Sequence, residues 1–240
     1  MIKVLSIGDV HGFDTWKNFG DIQNLLDNPK SKVYDFDYYV FVGDYVDSFT
    51  KTNMEILHNL KDIIKFKKNH KDRVILLWGN HDIQYLTSFS EHGCSGFRSE
   101  AYFDLHELFR KNRKLFQLAF QIDNYIWTHA GIHRGWYEYQ FPYKSKNIAD
   151  DLNAAFEENN NSIFNVGYMR GGRNDVGGPL WADMRETSSK PLKGYHQIVG
   201  HTRINELKRV IKDDNTSVTY IDYIEDGSTE PYILEIKKEE

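Results

Sequence analysis

The sequence predicts an α/β fold with a parallel sheet, and three features of the first 80 residues support this prediction. Short apolar stretches that are typical of strands alternate with stretches of helical period, in the order strand, helix, strand, helix, strand. The apolar stretches are continuous, which is typical of strands that are covered on both faces. Each one ends in a short polar cluster, at the strand end where ligands bind in open α/β sheets.

The first half of the chain contains three predicted strands and two predicted helices. The strands cover residues 4–7, 38–42 and 73–78, because these stretches are apolar and end at glycine. Asp14 is the predicted N-cap of the first helix, which the apolar spacing extends to residue 28. The second helix starts at Thr52 and keeps its helical period to Phe66.

The sequence of the second half of the chain predicts a helix followed mainly by strands. The helix covers residues 101–109, and a hairpin follows in which strands 116–122 and 125–128 flank Asp123 and Asn124. Residues 170–179 are glycine-rich and predict an irregular surface loop. The final predicted elements are a short strand at 197–200 and an antiparallel meander built from 210–211, 218–223 and 232–236.

The composition indicates a globular protein that forms one domain over residues 1–240. Hydrophobic residues make up 40% and charged residues 27% of the chain, and no linker or internal repeat divides it. The net charge of -5 argues against electrostatic binding to nucleic acid or to an anionic membrane surface. No stretch approaches the roughly 18–20 apolar residues of a membrane span, and the N-terminal apolar stretch is too short for a signal peptide. We therefore expect a cytoplasmic protein.

Cys94 is the only cysteine, which excludes an internal disulfide and a multi-thiolate zinc site. It lies in a glycine-flanked loop with no nearby catalytic partner, and we interpret it as incidental.

Five predicted strand ends carry side chains that bind metals in other proteins. These are Asp9 with His11, Asp44 with Asp47, Asn80 with His81, His129, and His201. The intervals leave room for helical connections, so we expect sheet geometry to bring the five loops to one edge. Oxygen and nitrogen ligands without sulfur favour manganese, iron, zinc, cobalt or nickel.

This ligand set is suited to a pair of metal ions. Two cations about 3.5–4 Å apart need a bridging carboxylate, and an aspartate in a tight Gly-Asp turn can bridge them. Such a pair lowers the pKa of a water and clamps phosphoryl oxygens, while the protein supplies a proton to the leaving group. His81, beside Asn80, is placed for this role, Asp47 would orient its ring, and Asp82 is interpreted as a structural neighbour.

The stretches 8–12, 43–47, 79–82, 129–131 and 200–201 resemble, in this order, the motif set of the calcineurin-like metallophosphoesterases. The similarity is greatest to the phosphoprotein phosphatase branch, which includes serine/threonine phosphatases and symmetrical bis(5'-nucleosyl)-tetraphosphatases. The Leu-Trp segment at 178–183 is also similar to that branch. Arg203 stands where nuclease and phosphodiesterase members have a second histidine, which again points to the phosphatase branch.

The resemblance implies a four-layer α/β/β/α sandwich with a dinuclear metal site. The implied ligands of one metal are Asp9, His11 and Asp44, and those of the other are Asp44 as the bridge, Asn80, His129 and His201. The implied acid dyad is His81 with Asp47. The expected metal is Mn²⁺, with iron, zinc, nickel and cobalt as the alternatives.

One motif departs from the phosphatase branch, because Ser48 and Phe49 follow Asp47 where the branch has Arg-Gly. A serine hydroxyl does not replace the fork of donors with which arginine clamps a phosphate. Arg185, just after the Leu-Trp segment, is the first candidate for that role. The further candidates are Arg98, Arg170 and Arg173.

The resemblance implies an enzyme that hydrolyses phosphate monoesters by direct attack of metal-bound hydroxide. Phosphoserine and phosphothreonine in proteins are the leading expected substrates. The alternative is a dinucleoside polyphosphate or another small phosphorylated metabolite. A metal-binding scaffold without catalysis is a third hypothesis, and the intact pair of His81 and Asp47 weighs against it.

Overall fold

The computed structural model describes residues 1–86, 93–142, 144–145, 147–213, 215–223 and 230–237. The strands in this part of the chain are β1 Ile2–Ile7, β2 Tyr38–Phe41, β3 Val74–Leu77, β4 Phe116–Gln117, β5 Ala119–Ile122, β6 Tyr125–Thr128, β7 His196–Val199, β8 Lys208–Asp213, β9 Thr216–Tyr220 and β10 Tyr232–Ile236. The α-helices are α1 Ile22–Asp27, α2 Asn53–Asn69, α3 Asn80–Ile83, α4 Tyr102–Asn112, α5 Arg134–Tyr139, α6 Ile148–Glu157 and α7 Met184–Ser189.

The strands form two five-stranded sheets. The first has the order β10-β1-β2-β3-β4, in which β1 to β4 are parallel and β10 pairs antiparallel with β1. The second has the order β5-β6-β7-β9-β8, with β6, β7 and β9 parallel. The predicted α/β class is confirmed, and the three strands predicted to be parallel, β1, β2 and β3, all lie in the first sheet.

A buried apolar layer joins the two sheets. Val40 of β2 and Ile75 of β3 belong to the same buried cluster as Trp127 of β6 and Ile198 of β7. The indole Nε1 of Trp127 donates to the hydroxyl of Ser6 at 2.9 Å, which ties the second sheet to β1. The carboxyl ends of parallel strands from both sheets therefore meet at one edge.

Helices cover the outer faces of the sheets, which gives the four layers expected from the resemblance. Leu5 and Ile7 of β1 share a buried cluster with Ile56 and Leu60 of α2. On the second sheet, β9 forms a small cluster with Met184 at the start of α7. No helix in the described ranges is long and apolar enough to cross a membrane.

The helices at 52–66 and 101–109 are confirmed as α2 and α4. The side chain of Thr52 accepts from the backbone N–H of Glu55, and the Glu55 carboxylate accepts from the N–H of Thr52. This capping box fixes the start of α2.

The predicted strand 116–122 is wrong as a single element, because it divides at Leu118 into β4 and β5. β4 pairs with β3 in the first sheet, whereas β5 pairs with β6 in the second and forms the predicted hairpin. The Asn153 side-chain oxygen accepts from the backbone N–H groups of Leu118 and Ala119 at 2.8 and 3.0 Å. The side chain of Asn153, in α6, thus accepts the hydrogen bonds that a neighbouring strand would otherwise accept, at the point where the chain passes from the first sheet to the second.

Two further predictions need correction. The first predicted helix is a 3-10 turn, Thr15–Asn18, followed by α1, because Gly20 between them has a φ of +55° and packs against Phe36. The predicted C-terminal meander holds only for β8 and β9, since β10 crosses to the first sheet and places Ile236 in the layer between the sheets.

Candidate metal centre

The site forms where β1, β2 and β3 of one sheet end beside β6 and β7 of the other. The backbone N–H groups of Val10 and His11 donate to the carbonyl of Asp44 at 2.9 and 2.8 Å. The N–H of Gly200 donates to the carbonyl of His129 at 2.8 Å. These bonds hold the loops together, so the positions of their side chains are fixed by backbone contacts.

Asp44 belongs to two groups of side chains that could each hold a metal ion. The first group is Asp9, His11 and Asp44, and the second is Asp44, His129 and His201. Within each group the ligand atoms lie within 4.8 Å of one another. Asn80 adjoins the second group, because its Oδ1 lies 2.8 Å from His129 Nε2 and 2.9 Å from His201 Nδ1. All six side chains predicted as ligands are therefore brought together.

The backbone at this site is unusual. Six non-glycine residues in the described part of the chain have a positive φ, and four of them are His11, Asp44, Asp47 and His201. A positive φ is uncommon for residues with a Cβ and occurs preferentially at functional sites. The strain is concentrated at the predicted site, where tight turns direct these side chains toward one another.

Two glycines allow the loops to approach the carboxylates closely. A Cβ on Gly79 would lie 2.1 Å from Oδ1 of Asp44, and a Cβ on Gly200 would lie 2.0 Å from Oδ1 of Asp9. Both distances are far below van der Waals contact. The glycines that precede Asn80 and His201 are therefore required by packing against the acidic ligands.

The arrangement of acceptors fits a bound cation. The ring of His129 is held by a 2.9 Å contact between Nδ1 and the carbonyl of Val42, which leaves Nε2 to face Asn80 Oδ1 and His201 Nδ1. His11 is held in the same way, with Nδ1 2.8 Å from the carbonyl of Val46. His201 Nε2 is buried without a hydrogen-bond partner. Lone pairs that converge in this way are stabilised by a positive ion.

Burial and charge shift the pKa values of the predicted ligands. Burial, followed by the carboxylates of Asp222 and Asp44, raises the pKa of Asp9 well above its usual value. Burial opposes the ionisation of Asp44, but His129, His81 and His11 outweigh it and lower its pKa. A metal ion beside Asp9 would reduce the free-energy cost of ionising its carboxyl group next to Asp44.

His81 and Asp47 form a pair beside Asp44. His81 Nδ1 lies 2.9 Å from Asp47 Oδ2, and the backbone N–H of His81 donates to Asp44 Oδ1 at 3.0 Å. Asp47 also accepts from the hydroxyl of Tyr85 at 2.5 Å and from the amide of Gln84. Burial favours the neutral ring of His81, but Asp44 and Asp47 outweigh it and raise its pKa to about 9. The pair is thus arranged to hold a proton on His81.

Asp82 supports the turn that carries Asp44. Its carboxylate accepts from the backbone N–H groups of Asp44, Tyr45 and Gly79, each at 2.9 Å. The side chain is fully buried. This agrees with the interpretation of Asp82 as a structural neighbour.

The predicted arginines lie in different surroundings. Arg98 donates to the carbonyls of Ser48 and Lys51 and to the side chain of Asn53, so its guanidinium holds the loop after Asp47. Arg185 is 64% exposed and forms an ion pair with Asp183 at 2.8 Å.

Arg170 is less exposed, at 26%, and forms an ion pair with the other oxygen of Asp183 at 2.9 Å. It also donates to the hydroxyl of Thr202, which follows His201, at 2.5 Å. Of these three arginines, Arg170 is the one that contacts a residue next to a predicted metal ligand.

Sequence reasoning missed the role of Cys94 and its neighbour Gln84. The amide Nδ2 of Asn80 donates to Cys94 Sγ at 3.1 Å, and the backbone N–H of Cys94 donates to Gln84 Oε1 at 3.1 Å. Fourteen residues separate Asn80 from Cys94. No pattern in the sequence indicates this contact, because it arises from the tertiary structure.

Comparison with known proteins agrees with this geometry. The family model described as calcineurin-like phosphoesterase matches residues 2–202. The solved structure of a cold-active protein-tyrosine phosphatase from a psychrophilic Shewanella species is similar, with a TM-score of 0.63 and 17% identity over 98% of this chain and 76% of that chain. A protein serine/threonine phosphatase from Saccharomyces cerevisiae has a TM-score of 0.51 and 18% identity over 92% and 67% of the two chains. At these identities the two structures show the fold alone.

No curated protein matches the sequence. The family model spans all five strand-end motifs, and the structure places those motifs around one shared aspartate. The chain therefore belongs to the calcineurin-like phosphoesterase family and is a metal-dependent phosphoric ester hydrolase.

Proposed function

We propose that this hydrolase is a phosphatase that removes phosphate from phosphoserine and phosphothreonine side chains in proteins, with two Mn²⁺ ions as its cofactors. The observation that carries the proposal is the position of Asp44, which is shared by two groups of metal-ligand residues and hydrogen-bonded to the backbone of His81. This arrangement combines a dinuclear centre with an adjacent proton donor, the two parts that hydrolysis of an unactivated phosphate ester requires.

The residues around Asp44 fit two ions. The proposed ligands of one ion are Asp9, His11 and Asp44, and those of the other are Asp44, Asn80, His129 and His201. When bound, the two ions would lower the pKa of a water and neutralise charge on the phosphoryl oxygens. The carbonyls of Val42 and Val46 orient His129 and His11 for this purpose.

His81 is the proposed proton donor to the leaving oxygen. Asp47 holds Nδ1 of the ring, which leaves Nε2 as the position from which a proton is donated. Tyr85 and Gln84 also donate to the Asp47 carboxylate. These two bonds hold Asp47 in place, and Asp47 in turn orients the ring of His81.

Arg170 and Arg185 are the proposed contacts to the phosphoryl group. The Nε of each arginine lies within 2.9 Å of an oxygen of Asp183, so both guanidinium groups form an ion pair with a common carboxylate. Arg170 is favoured for the closer contact because it reaches Thr202 beside His201. Arg98 remains a prediction as a substrate contact, and its bonds to the 48–53 segment support a role in shaping the loop that follows Asp47.

The charge and the surface near the dyad favour a phosphorylated protein over a dinucleoside polyphosphate. A polyphosphate requires several positive side chains, whereas Asp183 offsets part of the charge of Arg170 and Arg185 and the whole chain carries -5. Phe49 lies two residues beyond Asp47 and is 73% exposed. An exposed ring at this position offers an apolar contact to a polypeptide that carries the phosphate.

The proton-donor role is tested by comparing leaving groups in wild type and His81→Ala, with Mn²⁺ present. A phosphoserine peptide has a poor leaving group and needs the proton, so its kcat should fall about 10²–10⁴-fold. p-Nitrophenyl phosphate has a good leaving group and should lose much less. Equal losses on both substrates would remove His81 from the acid role, and Mn²⁺ affinity measured in the same variant controls for damage to the metal site.

The substrate class is tested by the kcat/KM values for a phosphoserine peptide, a phosphotyrosine peptide and diadenosine tetraphosphate. We expect the phosphoserine peptide to be preferred, and Phe49→Ala to lower kcat/KM for the peptide without changing that for p-nitrophenyl phosphate. A preference for phosphotyrosine would overturn the residue specificity and keep the phosphatase assignment. A preference for the tetraphosphate would establish the alternative class of substrate.

A further inference from the structure

The amide of Asn80 faces two different surroundings. Its Oδ1 points to His129 and His201, at 2.8 and 2.9 Å. Its Nδ2 points the opposite way and donates to the Sγ of Cys94 at 3.1 Å. The thiol also lies 3.4 Å from the backbone carbonyl of Asn80, so it contacts the residue from both its side chain and its main chain.

The orientation of this amide decides whether Asn80 is a metal ligand. An asparagine side chain has nearly the same shape after a half-turn, but the half-turn exchanges an acceptor oxygen for an NH₂ group with two donors. Only the oxygen can share a lone pair with a cation. A hydrogen-bond acceptor on the far side of the amide therefore favours the orientation in which Asn80 binds metal.

We propose that Cys94 is a positioning residue that holds the Asn80 amide with its oxygen toward the metal site. The proposal rests on the assignment of Asn80 as a ligand in the proposed function. Cys94 is 9% exposed, so water has little access to replace the thiol as the acceptor. Groups that orient a metal ligand typically change metal affinity about 10- to 100-fold when they are removed.

Gln84 fixes Cys94 and connects it to the proton donor. The side-chain oxygen of Gln84 accepts from the backbone N–H of Cys94 at 3.1 Å, and its nitrogen donates to the Asp47 carboxylate. Gln84 is itself 5% exposed. A single buried amide thus positions both the partner of Asn80 and the partner of His81.

The test compares Cys94→Ser with Cys94→Ala in calorimetric titrations of the metal-free protein with Mn²⁺. Serine and alanine are close in volume, but only serine offers an acceptor to Asn80. We expect Cys94→Ala to weaken the binding of one Mn²⁺ about tenfold and Cys94→Ser to stay within about threefold of wild type. Ser95→Ala, at an exposed position in the same loop, is the control and should bind Mn²⁺ like wild type.

If Cys94 only fills space, the two variants should rank differently in their affinity for Mn²⁺. If Cys94→Ser and Cys94→Ala weaken Mn²⁺ binding equally, or if neither weakens it, Cys94 does not position Asn80. Asn80→Ala in the same titration separates this result from a failure of the proposed function. Loss of one Mn²⁺ in Asn80→Ala confirms the ligand, whereas unchanged binding would overturn the ligand assignment and the Cys94 proposal together.

Discussion

At the scale of single residues, the site depends on close approach between the backbone of one loop and the carboxylate of another. Gly79 shows this most clearly, because its Cα lies where the loop of Asn80 passes the carboxylate of Asp44. The chain conformation there would be accessible to other residues, since the φ of Gly79 is -103°. Space, and not backbone conformation, therefore requires a glycine.

Gly79→Ala should separate the loop of Asn80 from Asp44. The added Cβ would lie 2.1 Å from Asp44 Oδ1, and relief of such a clash costs roughly 1–3 kcal/mol of unfolding free energy. Urea unfolding of the metal-free protein measures this change, and phosphatase activity should fall with it. Gly93→Ala is the matched control, because no atom lies within 4 Å of its added Cβ. Equal stability of the two variants would contradict the packing explanation.

The residues of the candidate metal centre could be predicted because their types and order are distinctive. Asp9, Asp44 and His201 each follow a glycine at a strand end, and the structure brings them together. The partner of the Asn80 amide could not be predicted, because Cys94 meets Asn80 and Gln84 only in the folded chain. Ligand identity is encoded locally, whereas the contacts that orient a ligand depend on tertiary structure.

At the scale of elements, the start of α7 links helix capping to the proposed phosphate contacts. Asp183 is the N-cap of this helix and accepts from the backbone N–H of Arg185. The same carboxylate binds Arg170 and Arg185. Burial opposes ionisation of Asp183, but its bonds to Arg185 and the charge of Arg170 outweigh it and lower its pKa.

Asp183→Asn should lower stability in a pH-dependent manner. Asparagine is also a favourable N-cap, so the expected loss of stability comes from removal of the negative charge. A carboxyl with a lowered pKa in the folded state stabilises the protein above its unfolded pKa of about 3.9, and this stability is lost as the pH falls through the folded pKa. Urea unfolding should therefore show a deficit of the variant at pH 7 that shrinks below about pH 4.

The deficit should be absent from Asp150→Asn, which changes an exposed aspartate in the first turn of α6 and should stay within about 0.5 kcal/mol of wild type. Asp183→Asn should also raise KM more than it lowers kcat, because Arg170 and Arg185 lose their common anchor. A deficit that persists unchanged at pH 3 would contradict the role of the charge.

The strands and long helices follow from local pattern, whereas their interruptions do not. The period and capping residues of α2 are visible in the sequence, and the structure confirms them. The change of sheet at Leu118 depends on an amide from Asn153, which lies 35 residues away. An apolar stretch that crosses between two sheets has the same pattern as one continuous strand.

At the scale of the whole molecule, two sheets are joined so that five strand ends form one centre. The layer that contains Val40 and Trp127 sets the relative position of the sheets. Asp44 comes from the first sheet and His129 from the second, with 3.3 Å between their side chains. Folding of the complete sandwich is therefore required to assemble the candidate metal ligands.

The most direct test of the shared centre is a calorimetric titration of the metal-free protein with Mn²⁺, in wild type and three variants. We predict two ions per chain in wild type, loss of one ion in His11→Ala, and loss of the other in Asn80→Ala. Asp44→Asn should weaken both ions, because Asp44 belongs to both groups of ligands. A single bound ion in wild type, or an Asp44→Asn variant that weakens only one of two ions, would contradict the account.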